Sequence, residues 1–371
     1  MTYLKKNKVV LGLSGGVDST AAALLLLEKG YEVTGLYFSV SKDDKGRKDA
    51  ESAARQLGID LITKDVSEKF SDLIIADFCR EYMSGRTPNP CIICNPMLKF
   101  RTLIETADET GAYYIATGHY ADTFYDKASD TWHIKKAANE KKDQSYMLYR
   151  LGQDVISRLL LPLSSIDSKE DTREIARCNG LENADAKDSQ EICFIEKDDD
   201  YKSFLKRNGA VTAEGYFVDI NGNILGKHSG IADYTVGQRK GLGIALGKPA
   251  FVTEINSDTN TIVLGDESEL YSTVVISRKN IIFGKALDDL RSDRSGSALS
   301  IGLMGFDKGM EAKIRYSSKP ASASVEILDD LSLKTVFDKP QRAVTPGQSI
   351  VFYKDDLVIG GGIIDGKENS K

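Results

Sequence analysis

Two cysteines, Cys91 and Cys94, stand three residues apart in TPNPCIICN (residues 87–95), in a chain with only five. A C-x-x-C pair serves zinc, an iron–sulfur cluster, a redox disulfide, or one reactive thiol with an incidental neighbour. A third thiol, Cys193, comes much later, in EICFI. A second chemical feature relies on backbone. GLSGGVDST (residues 12–20) joins an apolar run to a helical one and combines adjacent glycines with hydroxyl residues. Backbone N–H groups at such a turn approach phosphate closely, and the helix dipole favours negative charge there. The loop lacks the Lys-Ser/Thr ending of a Walker A motif and the spacing of G-x-G-x-x-G.

These groups need a scaffold, and the first half of the chain supplies an alternating one. KVVLGL predicts a buried strand, DSTAAALLLLEKG a helix ending at Gly30, YEVTGLYFSV a second strand, KDAESAARQLG a second helix and DLITKDVS a third strand. SDLIIADFCREYMSG and CNPMLKFRTLIETADETG read as helices and AYYIATGHYA as strand-like. This order predicts an α/β domain with a parallel sheet, helices on both faces and a ligand at the carboxyl ends of the strands. After about Asp200 the chain turns glycine-rich with short β-like runs, and Asn221-Gly222 marks a hairpin turn. From about Ile276, runs such as ASVEIL and SIVFYKDDLVIGGGII predict a small β-barrel or sandwich. The expected divisions are residues 1–205, 206–275 and 276–371.

The bulk properties narrow the class. The chain has 371 residues, 41% hydrophobic and 28% charged, with a net charge of −6. Two or three soluble globular domains are expected. No apolar run reaches the length of a membrane span, MTYLKKNKVV is no signal peptide, and neither end carries a lipidation motif. Few cysteines, odd in number, point to a reducing cytoplasm and no membrane partner. A nucleic acid would have to meet local basic patches, because the whole chain is acidic.

SGGVDS resembles the pyrophosphate-binding loop of the N-type ATP pyrophosphatases. That resemblance implies that Gly12, Leu13, Ser14, Gly15, Gly16, Val17, Asp18 and Ser19 hold ATP and that Asp18 helps to place Mg2+. TPNPCIICN, ATGHYA (116–121), KDQSYML (142–148), AKDSQEICFI (186–195), TVGQRKGLGI (235–244) and TPGQSIVFY (345–353) together resemble the tRNA-specific 2-thiouridylase family. With the glycine loop they run in the family's order from Gly12 to about Gly362.

The family implies an adenine-nucleotide alpha-hydrolase-like parallel-sheet domain, a small mostly β central domain and a C-terminal β-barrel that binds tRNA. It also implies a reaction, in which the 2-oxygen of the wobble uridine is replaced by sulfur. Adenylation makes that oxygen a good leaving group, and a thiolate or persulfide delivers the sulfur. Cys193 matches the persulfide-bearing residue and Cys94 the second catalytic thiol, which helps to release sulfur by forming a disulfide with Cys193. Phe38 and Gly118 match positions near the adenosine. Asn89, Pro90, Cys91 and His119 match positions near the target base. Lys142, Asp143 and Gln144 match the segment that meets tRNA, with Lys135, Lys136 and Lys141 close by. Arg315, Tyr316 and Gln348 match residues touching the anticodon region. The implied partners are tRNA and a persulfide donor, either a cysteine desulfurase or a relay protein.

Cys91 departs from the pattern, since many family members carry aspartate there. It either lines the base pocket or joins Cys94 and Cys193 as ligands of an iron–sulfur cluster. Tetrahedral zinc would need a fourth ligand, for which His119 is the motif candidate. The pocket-lining reading is preferred, because C-x-x-C alone does not specify a metal. Cys79 and Cys178 read as buried structural thiols. Two rival functions stay open from sequence: another adenylating enzyme, such as an amidotransferase-linked synthetase, and a metal-containing RNA-binding protein without catalysis.

Overall fold

The computed structural model describes residues 4–41, 46–184, 192–196, 199–283 and 309–367. The first half contains strands β1 (Lys5–Gly12), β2 (Glu32–Ser39), β3 (Asp60–Asp65), β4 (Ala112–Ala116), β5 (Asp122–Asp126), β6 (Thr131–Lys135) and β7 (Leu159–Leu160). Its principal helices are α1 (Val17–Glu28), α2 (Gly46–Leu57), α3 (residues 67–83) and α4 (residues 90–110). Two more follow, α5 (Lys169–Cys178) and α6 (Tyr201–Arg207).

Strands β3-β2-β1-β4-β7 form one parallel sheet in that order. Val9, Val10 and Leu11 of β1 are buried in succession, as a central strand covered on both faces requires. The predicted α/β architecture is therefore present. The order of strands reverses between β1 and β4, and their carboxyl ends at Gly12 and Ala116 lie side by side.

The central unit has strands β8 (Gly215–Val218), β9 (Ile224–His228), β10 (Phe251–Asn256) and β11 (Thr261–Gly265), ordered β10-β11-β8-β9. Gly222 turns the β8–β9 hairpin at φ +83°. The last unit is a closed six-stranded antiparallel barrel. Its strands are β12 (Tyr271–Ile282), β13 (Met310–Lys313), β14 (Ala321–Ile327), β15 (Leu333–Arg342), β16 (Ser349–Lys354) and β17 (Leu357–Gly366), and β12 pairs with β17 to close it. The β5–β6 hairpin of the first domain adds to this barrel, with Leu357 opposite Lys135. The sequence does not reveal this hairpin, whose partner strand lies more than two hundred residues away.

All three units meet at residues 85–87, between α3 and α4. A side chain on Gly85 (φ +70°) would strike Ile255 of β10. Arg86 bonds Glu81 at 2.8 Å, Asp365 at 3.1 Å and the carbonyl of Ile364 at 2.9 Å. The Thr87 N–H donates to Pro346 O, and its carbonyl accepts from Gln348 Nε2, both at 2.8 Å. Its hydroxyl meets that of Thr235 at 3.2 Å. Gly347 permits this approach: at φ +91°, its Cβ would lie 2.9–3.0 Å from the Thr87 backbone.

Gly347→Ala therefore adds a clash to a left-handed backbone and should lower unfolding free energy by about 1–3 kcal/mol. Gly222→Ala is the control, because Gly222 has a similar φ but open space around it. Urea unfolding of the two variants should show the greater loss at Gly347, and equal losses would contradict the close approach.

Candidate nucleotide and thiol site

The glycine loop leaves β1 and enters α1. Gly16 is the N-cap and supplies no side-chain acceptor, so the first-turn N–H groups stay available to an external anion. Ser19 Oγ donates to Gly16 O at 2.9 Å and receives Ser14 N–H at 3.3 Å, which shapes the turn from within. A Cβ on Gly15 (φ +78°) would lie 2.4 Å from the Asp49 backbone. One on Gly118, just after β4, would lie 2.8 Å from the Asp18 backbone. The predicted loop and the predicted Gly118 are thus packed directly together. Leu13 and Val17 are buried and offer only their backbone, and Phe38 flanks Gly12 from β2.

Asp18 requires a correction. Its carboxylate takes the Lys169 ammonium on both oxygens at 2.6 Å and the Tyr120 hydroxyl at 2.8 Å. A metal there would have to displace a lysine that is only 11% exposed. Asp18 therefore holds Lys169 beside the phosphate loop, and the residues present do not fit the expected Mg2+ role. The sequence gives no sign of Lys169, since it enters from α5, about 150 residues away, as the N1 residue of a Ser168-capped helix.

Helix α4 carries the thiols. Asn89 caps it by accepting Cys91 N–H at 3.2 Å, and Pro90 occupies the first helical position. Cys91 and Cys94, three apart, share a face. Pro96 then has no N–H to give Ile92, and residues 95–99 widen into a π turn, with Phe100 N–H bonded five residues back to Asn95 O. Cys94 is 4% exposed, and burial raises its thiol pKa to about 11, with Lys99 opposing. Cys193 is exposed, yet the dense protein around it still raises its pKa by desolvation, again opposed by Lys99. Its neighbour Phe194 packs on Phe70, Phe78 and Phe204. Most of the motif before Cys193, residues 186–191, lies outside the described residues.

Cys91, Cys94 and Cys193 thus surround one lysine. Among the described residues, no group of three His, Cys, Asp or Glu side chains converges as a metal site. The cluster reading is not carried further. Cys79 is buried as expected, whereas Cys178 is exposed and bonded to Glu174, which corrects its reading as a buried thiol.

His119 Nδ1 lies 2.8 Å from Thr117 Oγ1, and the ring stacks on Phe100. Burial, aided by Lys99, lowers its pKa to about 3, so the imidazole is neutral.

The expected tRNA residues divide. Asp143 is 7% exposed and accepts Ala137 N–H, Ser145 N–H and the Ser145 hydroxyl. It is an internal brace, which corrects its expected tRNA contact. Gln144 accepts Tyr120 N–H, Gln348 is committed to Thr87, and Lys136 already meets Asp355 O and the Tyr353 ring. Lys142 is half-buried, while Lys141 is exposed. Arg315 ties to the carbonyls of Arg342 and Ala343. Tyr316 presents a partly exposed ring backed by Lys313 and tilted toward Tyr146. Lys313 and Tyr146 are absent from the sequence reading.

Three family models match the chain: the tRNA methyl transferase HUP domain over residues 7–197, the tRNA methyl transferase PRC-barrel domain over 202–266 and the aminomethyltransferase beta-barrel domain over 307–364. The chain is 45% identical to the tRNA-specific 2-thiouridylase MnmA of Acetivibrio thermocellus, covering 97% of this chain and 100% of that one. It is 43% identical to MnmA 1 of Clostridium botulinum strain Okra, covering 98% and 99%. With MnmA of Clostridioides difficile strain 630 the identity is 42%, covering 97% and 98%.

The neutral imidazole gives a direct test. A folded-state pKa of about 3 means that His119 takes no proton as pH falls through 6.5, while the unfolded chain does. Its contribution to stability therefore declines from about pH 6.5 downward. Carbon-13 NMR of His119 should show no titration between pH 5 and 8, and a midpoint near 6.5 would contradict its desolvation.

Proposed function

Because the chain belongs to the tRNA-specific 2-thiouridylase family, we propose that it replaces the 2-oxygen of the wobble uridine of tRNA with sulfur, using ATP. The observation that carries this reading is the 45% identity along 97% of the chain. The thiols gathered beside the nucleotide loop supply matching chemistry. The loop from Gly12 to Ser19 cradles the phosphates of ATP, with Phe38 and Gly118 beside the adenosine.

The uracil 2-oxygen attacks the α-phosphate, and pyrophosphate leaves. The persulfide resides on Cys193, whose exposure suits loading by a cysteine desulfurase or a relay protein. The Cys94 thiolate attacks Cys193 Sγ. The S–S bond to the terminal sulfur breaks, a Cys94–Cys193 disulfide forms, and hydrosulfide departs with the electron pair. Hydrosulfide adds to C2, and AMP leaves with the former uridine oxygen. Two thiols are oxidised while one sulfane sulfur is reduced, so an external thiol reductant must reopen the disulfide.

His119, neutral and held at Nδ1, leaves Nε2 to bond the uracil edge. Asn89 and Pro90 start the helix that carries Cys91 to the base pocket. Lys141, Lys142, Lys135 and the Arg315–Tyr316 pair face the tRNA, giving phosphate contacts and a stacking ring. No step is assigned to Mg2+. No helix among the described residues is long and apolar enough to cross a membrane. Five free thiols suit a reducing cytoplasm.

Nucleoside mass spectrometry of tRNA incubated with the protein, ATP, Mg2+ and a persulfide source should reveal 2-thiouridine at the wobble position. Cys193→Ser should abolish both protein-bound persulfide and product. Cys94→Ser should abolish product while tRNA-dependent pyrophosphate release continues. Normal thiolation by Cys94→Ser would contradict the disulfide step.

A further inference from the structure

Lys99 carries no role in any motif, yet it occupies the centre of the thiol site. In an α-helix, a residue five positions after Cys94 would lie roughly 140° around the axis. The π turn over residues 95–99 brings it back over the Cys94 face instead. Pro96 forces that turn, so the sequence CNPMLK places a cation beside its own thiol. No carboxylate lies within salt-bridge distance of Lys99 among the described residues. The titratable groups that face it are Cys91 and Cys94 on its own helix, Cys193 from the following loop segment, and His119 from the turn after β4.

We propose that Lys99 is the counter-ion for the sulfur chemistry: its ammonium holds the anionic sulfurs of Cys193 and Cys94 in the crevice. The inference takes its purpose from the proposed thiolation, but it concerns charge at named atoms and stands or falls without that reaction. A buried ammonium with no partner is destabilising, and sulfur anions are the partners available here. Burial alone would favour the neutral amine. The nearby thiols reverse this and raise the pKa of Lys99, with Cys94 the strongest of them, then Cys193 and Cys91. In return, the ammonium favours the thiolates, which are the nucleophilic forms.

The test uses the full-length protein without ATP or tRNA. Iodoacetamide labelling of Cys193 is followed by peptide mass spectrometry from pH 6.5 to 10, with exposed Cys178 as the internal reference. Lys99→Met should slow labelling of Cys193 at pH 8 by about tenfold, equivalent to one pH unit, and leave Cys178 unchanged. Lys99→Arg should stay within about threefold of the wild type. A Lys99→Met profile that superimposes on the wild type would overturn the proposal, as would an equal loss in Lys99→Arg. Nitrogen-15 NMR of Lys99 Nζ gives an independent reading if Lys99→Met does not fold. Its titration should move to lower pH when Cys94 and Cys193 are both serine, and an unmoved titration would likewise overturn the assignment.

Discussion

The backbone of Thr87 is fastened on both sides by the C-terminal barrel, its N–H to Pro346 O and its carbonyl to Gln348 Nε2. Two residues later, Asn89 begins the helix that bears Cys91, Cys94 and Lys99. The position of the thiols therefore depends on a barrel built from the far end of the chain. The central unit adds its own hold through Thr235 and through Ile255 against Gly85. A protein that grips RNA with one domain and modifies it with another needs such a connection. Here it is three residues long, and it has room for no side chain at Gly85 or Gly347.

The nucleotide loop and the thiols share the carboxyl edge of the parallel sheet, at the point where strand order reverses. Gly118 rests on the backbone of Asp18, and His119, the next residue, reaches toward the thiol helix through Phe100. One turn after β4 thus touches both halves of the site. The electrostatics follow the same economy. Lys169 sits on Asp18 beside the anion cradle, and Lys99 sits among the sulfurs, so each centre of developing negative charge has one lysine fixed by the fold.

The sequence makes the local chemistry plain. The loop from Gly12 to Ser19, the thiols Cys94 and Cys193, and the strand–helix alternation can be read because each depends on neighbours in the chain. What depends on distant packing is hidden. The β5–β6 hairpin finds its partner in β17, and Lys169 approaches Asp18 from α5. Asp143 looks like a polar surface residue in KDQSYML but folds inward to brace Ala137 and Ser145. Lys99 is a different case. Pro96 within a helical pattern announces a break, but only the geometry of the break tells which face Lys99 joins. Cys91 reads as a possible metal ligand until the sulfurs are seen to surround a lysine.

The central claim is that a single site adenylates the uridine 2-oxygen and then exchanges it for sulfur. An isotope test addresses that claim directly: tRNA carrying oxygen-18 at the 2-position of the wobble uridine, with the AMP product analysed by mass spectrometry. The account predicts one oxygen-18 in AMP for each 2-thiouridine formed. Unlabelled AMP accompanying thiolated tRNA would contradict it.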